Sequence, residues 1–312
     1  MNFVKFFFRY VFKETLAILL FVPGLIYLKF RYNNKKVLTV LNYHNFSRYN
    51  NYKVLRGNIL QTGYFKNFER QINFLKNNFD FIYPNEFFDN QCKNGVNVLI
   101  TFDDGYKDNY DYAFPIIKKH SAKCIFFIVT EYIGSNNWLW HDKVRYLITK
   151  NKIEKDTAEG TLKRMNRGEK VSSVFKAEVD SFSKNESLPP IMMNWQNLKE
   201  IKNSGLRIGA HTVNHKILPF LKKQDQEEEI NLSIDRLNKE LIINSNEFAY
   251  PNGLFNEITI NILKKNKIDY AFTTINGVNN QAQNKLELKR IGVNSSDSIF
   301  ILVLKICINT LK

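Results

Sequence analysis

Cysteine is scarce in this chain. The three present in 312 residues, Cys92, Cys124 and Cys307, are odd in number and widely spaced. That excludes a disulfide framework, and without a Cys-x-x-Cys pair there is no thiolate metal site. They read as small buried hydrophobes. Acids are also in deficit: 30 Asp and Glu stand against 45 Lys and Arg, for a net charge of +15. Such a balance directs attention to nucleic acid or anionic lipid. The basic residues are nevertheless dispersed, with no arginine-rich stripe and no nucleic-acid motif, so nucleic acid is not expected as a partner. Attraction to anionic lipid or to a phosphate-bearing substrate is. The chain has no internal repeat and no long low-complexity tract. With 44% hydrophobic and 14% aromatic residues, it has the composition of a globular α/β protein able to bury a substantial core.

Long apolar runs are missing too. The N-terminal stretch "MNFVKFFFRYVFKETLAILLFVPGLIYLKFRYNNKK" has an uncharged run only from Thr15 to Leu28, interrupted by Pro23 and Gly24. A spanning helix needs about 20 apolar residues. No small-residue cleavage site follows convincingly. Residues 1–35 therefore read as a membrane-associating segment, interfacial or re-entrant, with a terminal helix packed on the domain as the alternative. Lys and Arg flank both sides of the run, so the side of the membrane stays open. The closing "SIFILVLKICINTLK" is also apolar, and is compatible with an ordinary terminal helix.

From residue 36 to the end the pattern is one domain of strands alternating with helices, the signature of a parallel α/β architecture. Candidate strands are 36–44, 79–83, 97–104, 123–130, 206–212, 247–251, 268–274 and 286–293. Helical spacing of apolar residues covers 64–79 and 224–242. A further helix is expected between Asn194 as N-cap and Gly205 as C-cap. About seven parallel strands are enough to close a distorted (β/α) barrel, whose chemistry sits at the carboxyl ends of the strands. Residues 136–190, charged and ending in Pro189–Pro190, read as a helical insertion.

Histidine is scarce, with five in the chain, and three of them stand at expected strand ends. His44 closes "VLNYH", and His211 and His215 lie in "IGAHTVNH". Asp103 and Asp104 close "LITFDD". Two adjacent carboxylates are costly to desolvate unless something positive compensates. In a parallel sheet all five residues share one rim, where a divalent cation can supply that charge. One carboxylate and two imidazoles leave a coordination position open for water, whose pKa the metal lowers toward 7. The second carboxylate can then serve as general base, and a nearby histidine as general acid. Taken singly, each motif has an ordinary explanation. Asp-Asp-Gly is a common turn, and His44 could be a core histidine. His120, in "IIKKHSAK", reads as a helix-end residue, and His141, in "WLWHDK", as structural. Trp138, Trp140 and Trp195 are either sugar-stacking surfaces or core.

"TFDDG" (101–105), "HTVNH" (211–215) and "FAYPNG" (248–253), in that order, resemble the polysaccharide deacetylase, or NodB-homology, family. The resemblance implies a distorted (β/α) barrel with a divalent metal, usually zinc, that hydrolyses N-acetyl groups on amino sugars. It implies Asp103 as catalytic base and Asp104, His211 and His215 as metal ligands. Tyr250, Pro251, Asn252 and Gly253 would line the substrate groove, with backbone N–H groups available to an oxyanion. "LNYH" resembles a subgroup in which this histidine is the general acid. That gives His44 the role, with Tyr43 beside it in the groove. The late Leu-x-x-His of many relatives is absent. So is the arginine that many carry in the third motif to orient the base, and Arg290, in "LKRIGV", is proposed as its replacement. The expected substrate is an N-acetylated glycan or a lipid-linked amino sugar at a membrane surface. A catalytically silent carbohydrate-binding protein on the same barrel, a deformylase and an O-acyl esterase stay open.

Overall fold

Short apolar runs separated by amphipathic stretches can bury themselves only if the runs pair side by side and the stretches cover them. The computed structural model describes residues 2–46, 65–149, 153–166, 179, 181 and 190–311, and it takes this form. Among the described residues eight strands form: β1 Lys36–Tyr43, β2 Asp80–Phe81, β3 Gly95–Phe102, β4 Cys124–Ile128, β5 Arg207–Ala210, β6 Glu247–Ala249, β7 Tyr270–Phe272 and β8 Ile291–Gly292. Seven fall inside an expected run; β3 begins two residues before its expected run of 97–104 and ends two residues before that run's end. All pair in parallel in the order β7-β6-β5-β4-β3-β1-β8, with β2 alongside β3 off that path. A parallel bridge between Phe272 and Leu288 brings the two ends of the path together. The sheet is thus curled, as expected of a distorted barrel.

Eleven α-helices accompany it among the described residues: α1 Asn2–Leu19, α2 Phe21–Arg31, α3 Phe65–Asn78, α4 Pro84–Phe88, α5 Phe114–Lys119, α6 Trp140–Thr149, α7 Lys155–Asn166, α8 Trp195–Asn203, α9 Lys223–Leu241, α10 Glu257–Lys265 and α11 Ile299–Thr310. Helix α8 starts where expected, with the Asn194 side chain accepting from the Asn197 amide at 2.9 Å. It ends on Ser204, and Gly205 follows at φ +85°, the left-handed conformation glycine adopts without penalty. The expected insertion at 136–190 contains helices α6 and α7 among its described residues. Most of 167–189 lies outside the described residues.

The two-residue alternation of a strand sorts side chains onto two faces. Leu38 and Val40 of β1, Leu99 of β3, Ile125 and Phe127 of β4, and Ala249 of β6 point into the barrel and form an inner core. Leu41, Tyr43, Val98, Ile100, Phe102, Phe126 and Phe248 point outward and pack under the helices, with Phe68, Ile72 and Leu75 of α3 and Ile230 and Leu237 of α9. The register decides what meets at the rim. Tyr43 pairs with Phe102 at the ends of β1 and β3, so His44 and Asp103 leave the sheet side by side. Ala210 pairs with Ile128 and with Phe248, which brings His211 to the same edge.

The two ends of the chain meet on one flank. Helices α1 and α2 both pack against α11, and α11 against α3. No single described helix is long and apolar enough to cross a membrane. Val11–Leu19 and Phe21–Arg31 pass that test only together, and they are bent by 52°.

Candidate active site

The alternation that fills the inner core continues past the strand ends. Thr101 and Asp103 share the inward parity of Leu99, Asn42 and His44 that of Val40, and Arg290 that of Leu288. Arg290 is buried within the barrel, its Nε donating to the Thr273 carbonyl at 2.7 Å and its guanidinium 5.9 Å from the Phe127 ring centroid. Its two terminal nitrogens donate to the two oxygens of Asp103, at 2.7 and 2.8 Å. Asn42 Nδ2 donates a third bond to Asp103 Oδ2 at 3.1 Å, and is itself steadied by Thr101 Oγ1, which donates to Asn42 Oδ1 at 3.2 Å. Burial by itself raises the Asp103 pKa, but Arg290, aided by His211 and His44, outweighs it and holds the carboxyl well below the usual carboxylate range. The base expected at this position is ionised, and both its oxygens are aimed.

Asp104 does not continue the alternation. Its φ of +80° and that of Gly105, +88°, turn the chain sharply, so the two carboxylates diverge. Non-glycine residues at positive φ cost energy and concentrate where function requires a fixed direction. Thr212 (+65°) and His215 (+59°) share the feature. Between them the loop is tied to helix α9. The buried Glu229 carboxylate accepts from the Asn214 backbone N–H at 2.8 Å and from Asn214 Nδ2 at 2.9 Å, and pairs with Lys216 Nζ at 3.0 Å. Thr212 Oγ1 accepts from the His215 N–H at 3.0 Å.

These turns gather Asp104, His211 and His215 so that one ligand atom of each lies within 4.8 Å of the others. Asp104 Oδ1 is 3.6 Å from His211 Nε2 and 3.4 Å from His215 Nε2. His211 Nδ1 lies 2.6 Å from the Ala249 carbonyl. A carbonyl only accepts, so Nδ1 carries the proton and Nε2 presents its lone pair to the cluster. Burial lowers the pKa of both imidazoles, that of His215 strongly, which keeps them neutral. Two neutral imidazole nitrogens and one carboxylate oxygen fit a divalent cation.

The remaining expected residues are distributed unevenly. His44 is exposed at the rim, its carbonyl accepting from Asn109 Nδ2 at 2.6 Å, close enough to shift both Asp103 and His215 electrostatically. Tyr43 and Tyr250, expected in the groove, have the outward parity instead. Tyr43 is buried among Phe68 and Phe102 and donates to Gln71 Oε1 at 2.9 Å. Tyr250 is buried and donates to the Leu286 carbonyl at 2.8 Å. From both positions only backbone reaches the rim. Pro251, Asn252 and Gly253 form a tight turn with Asn252 at φ +55°, and the Gly253 N–H donates to the Tyr250 carbonyl at 2.7 Å, which removes that amide from the expected oxyanion role. Trp138 is core, packed edge-on against Tyr146, while Trp195 lies under Arg236.

A second cluster was not legible from motifs. His141, at the start of α6, lies with its ring centroid 5.5 Å from that of His215 and its Nε2 3.0 Å from Tyr106 Oη. Tyr106 Oη donates to the buried Asp142 at 2.7 Å. The one signal was the acid following the histidine in "WHDK". His120 is remote from all of this, beside Glu69 at 3.8 Å.

Residues 90–271, more than half of the chain, match the family model described as polysaccharide deacetylase. The chain belongs to the polysaccharide deacetylase family. Among its relatives, a Bacillus subtilis protein, YxkH, named for the same family, is 24% identical over 196 residues, covering 63% of this chain and 51% of that protein. The poly-β-1,6-N-acetyl-D-glucosamine N-deacetylase of Staphylococcus epidermidis is 26% identical over 176 residues, covering 56% and 47%. The chain thus spans about half the length of the curated relatives it matches. The same fold occurs in the Streptococcus pyogenes deacetylase PplD, solved in complex with acetate, with a TM-score of 0.63 at 22% identity, covering 88% of this chain and 99% of that one. IcaB from Ammonifex degensii superimposes with a TM-score of 0.59 at 21% identity, covering 86% and 97%. The curled parallel sheet with its surrounding helices is the fold shared with these deacetylases.

Proposed function

We propose that the chain is a metal-dependent hydrolase that removes N-acetyl groups from amino sugars of a surface polysaccharide or lipid-linked glycan. The observation that carries this reading is the bidentate Arg290–Asp103 pair, with an ionised carboxylate beside a cluster of Asp104, His211 and His215. Those three would hold the metal, and two imidazoles with one carboxylate suit zinc. When bound, the cation supplies a Lewis acid for the acyl oxygen and acidifies the attacking water.

The chain's own residues do the rest. Asp103 accepts a proton as the water oxygen bonds to the acyl carbon, and Arg290 holds both of its oxygens so that the acceptor is fixed. His44 delivers a proton to the sugar nitrogen as the carbon–nitrogen bond breaks. The products are a free amino sugar and acetate. Asn252 and its turn border the space the glycan would occupy. The name of the Staphylococcus relative makes β-1,6-linked N-acetylglucosamine the first polymer to try.

The test is acetate release from N-acetylated and from O-acetylated oligosaccharides, with the metal content of the protein measured alongside. Release from the N-acetyl substrate that falls about 10²–10⁴-fold in Asp103→Asn, with folding intact, supports the reading. Unchanged release in that variant, or release from the O-acetyl substrate alone, refutes it.

A further inference from the structure

Helices α1 and α2 leave far more apolar surface uncovered than any other part of the described chain. Phe12, Leu19, Val22 and Phe30 expose 70%, 68%, 60% and 78% of their surfaces. Scattered exposed apolar residues are ordinary, but a contiguous set on one helix pair marks an interaction surface. The opposite side of the pair is closed against the protein. Ala17 and Leu28 are buried, and Gly24 lets α2 approach α11 so tightly that a Cβ there would fall 2.9 Å from Cys307 Sγ. Ser298 Oγ, at the start of α11, donates to Glu14 at 2.8 Å. Phe21 packs edge-on against Phe300 with centroids 5.0 Å apart, and against Phe74 of α3 at 5.7 Å. The pair is therefore a fixed part of the barrel's flank, with one face built in and one face bare.

We infer that this bare face docks onto an anionic lipid bilayer, lying in the plane of its interface. Charge complementarity selects the occupant. The first 36 residues hold seven Lys and Arg against one acid, Glu14, which is the acid tied to Ser298. Lys13, Lys29 and Arg31 are exposed around the apolar face, the arrangement of helices that bury apolar side chains at the headgroup boundary while basic ones meet anionic lipid. Geometry selects the depth. At about 1.5 Å per residue, neither Val11–Leu19 nor Phe21–Arg31 alone spans a hydrocarbon core of about 30 Å. The pair is bent by 52° and seamed against α11, which favours its lying along the surface over crossing end to end.

A groove of about 580 Å³ opens between α3 and the start of α11, lined by Asn67, Arg70, Phe74, Asp297, Ser298 and Phe300. The preceding residues Asn294, Ser295 and Ser296 line the cleft that holds His44. Segment 294–298 thus borders this groove at one end and the small cleft at His44 at the other. Resting on the deacetylase reading above, this makes an amino sugar carried at a bilayer surface the natural substrate of the site.

The full chain added to preformed vesicles tests the docking. Wild type is expected to float with phosphatidylcholine vesicles containing phosphatidylglycerol, and at least about tenfold less with phosphatidylcholine alone. Phe12→Asp/Leu19→Asp/Phe30→Asp is expected to lose flotation while releasing acetate from a soluble N-acetylated oligosaccharide at the wild-type rate, since none of the three touches the core or the site. In Leu19→Trp, shallow brominated lipids should quench the added fluorescence more than deep ones. Flotation unchanged in the triple variant, absent in wild type, or accompanied by strongest quenching from the bilayer centre overturns the proposal. So does a dimer that forms without vesicles and disperses in the triple variant, which would assign the face to a second copy. Patch-dependent flotation of a protein that releases no acetate from any substrate supports the docking surface and removes the deacetylase reading instead.

Discussion

Arg290 and Asp103, 187 residues apart in sequence, meet inside the barrel through two nearly equal hydrogen bonds of 2.7 and 2.8 Å. A guanidinium fork matched to a carboxylate fixes orientation as well as charge, and a single ammonium cannot reproduce it. The pair therefore sets both the protonation state of Asp103 and the direction in which it faces the rim.

Replacing Arg290 should separate these two effects. In Arg290→Met the burial that raises the Asp103 pKa acts without its main counterweight, so the carboxyl titrates higher. The acid limb of the kcat/KM profile is expected to move to higher pH, and kcat at neutral pH to fall about 10–100-fold. Arg290→Lys should recover the pH profile more fully than the turnover. A profile that stays in place in Arg290→Met would show that Asp103 is not the group titrating.

The same pair bears on stability. Asp103 is depressed in the folded state, so its contribution is present above the ordinary carboxylate pKa of 3.8 and is lost as pH falls through the lower folded value. Removing Arg290 leaves a buried carboxylate unpaired, at a cost of about 3–5 kcal/mol. The variant's deficit in denaturant unfolding should be largest near neutral pH and shrink toward pH 4, where the unpaired carboxyl becomes protonated. A deficit independent of pH would assign it to lost packing.

Glu229 supports the Asp104–His211–His215 cluster without belonging to it. Its carboxylate ties the Asn214 amide and side chain, and so the loop that carries His211 and His215. Groups that orient ligands typically change metal affinity about 10–100-fold when removed. Glu229→Ala should weaken metal binding by that factor in a competition assay with a chelator, while His211→Ala should abolish it. Affinity unchanged in Glu229→Ala would show that the loop holds its shape unaided.

Gly253 stands where no side chain fits. Its φ is +71°, and a Cβ would fall 2.2 Å from the Thr274 amide nitrogen. Gly253→Ala should destabilise the protein by at least about 1–3 kcal/mol and distort the turn bordering the glycan space, raising KM. Wild-type melting and kinetics in this variant would mean that the segment at Thr274, just after β7, can retreat from the turn.

Much of this was legible in the sequence because it depends on local periodicity. The apolar runs marked all eight strands, and a parallel sheet obliges their carboxyl ends to share a rim, so "TFDDG" and "HTVNH" could be placed together before any contact was known. Asn194 announced the start of α8 for the same reason, since a cap acts within three residues. What the sequence did not reveal depends on which face a residue presents and on who meets it across the barrel. Tyr43 and Tyr250 sit inside the motifs and so read as groove residues. One step along a strand reverses the side chain, however, and Phe68 and Phe102 claim Tyr43 while Phe248 and Phe255 claim Tyr250. His141 came to His215 only through the folding of α6 against the rim, a contact no spacing encodes. The backbone turns at Asp104, Thr212 and His215 adopt left-handed conformations that no motif announces, and those turns aim the ligand atoms at one point. The chain's own periodicity determined the sheet and its rim. The direction of each group on that rim was decided by tertiary packing, because closure of the barrel brings Arg290 to Asp103, and the packing of α9 brings Glu229 to the loop of His211 and His215.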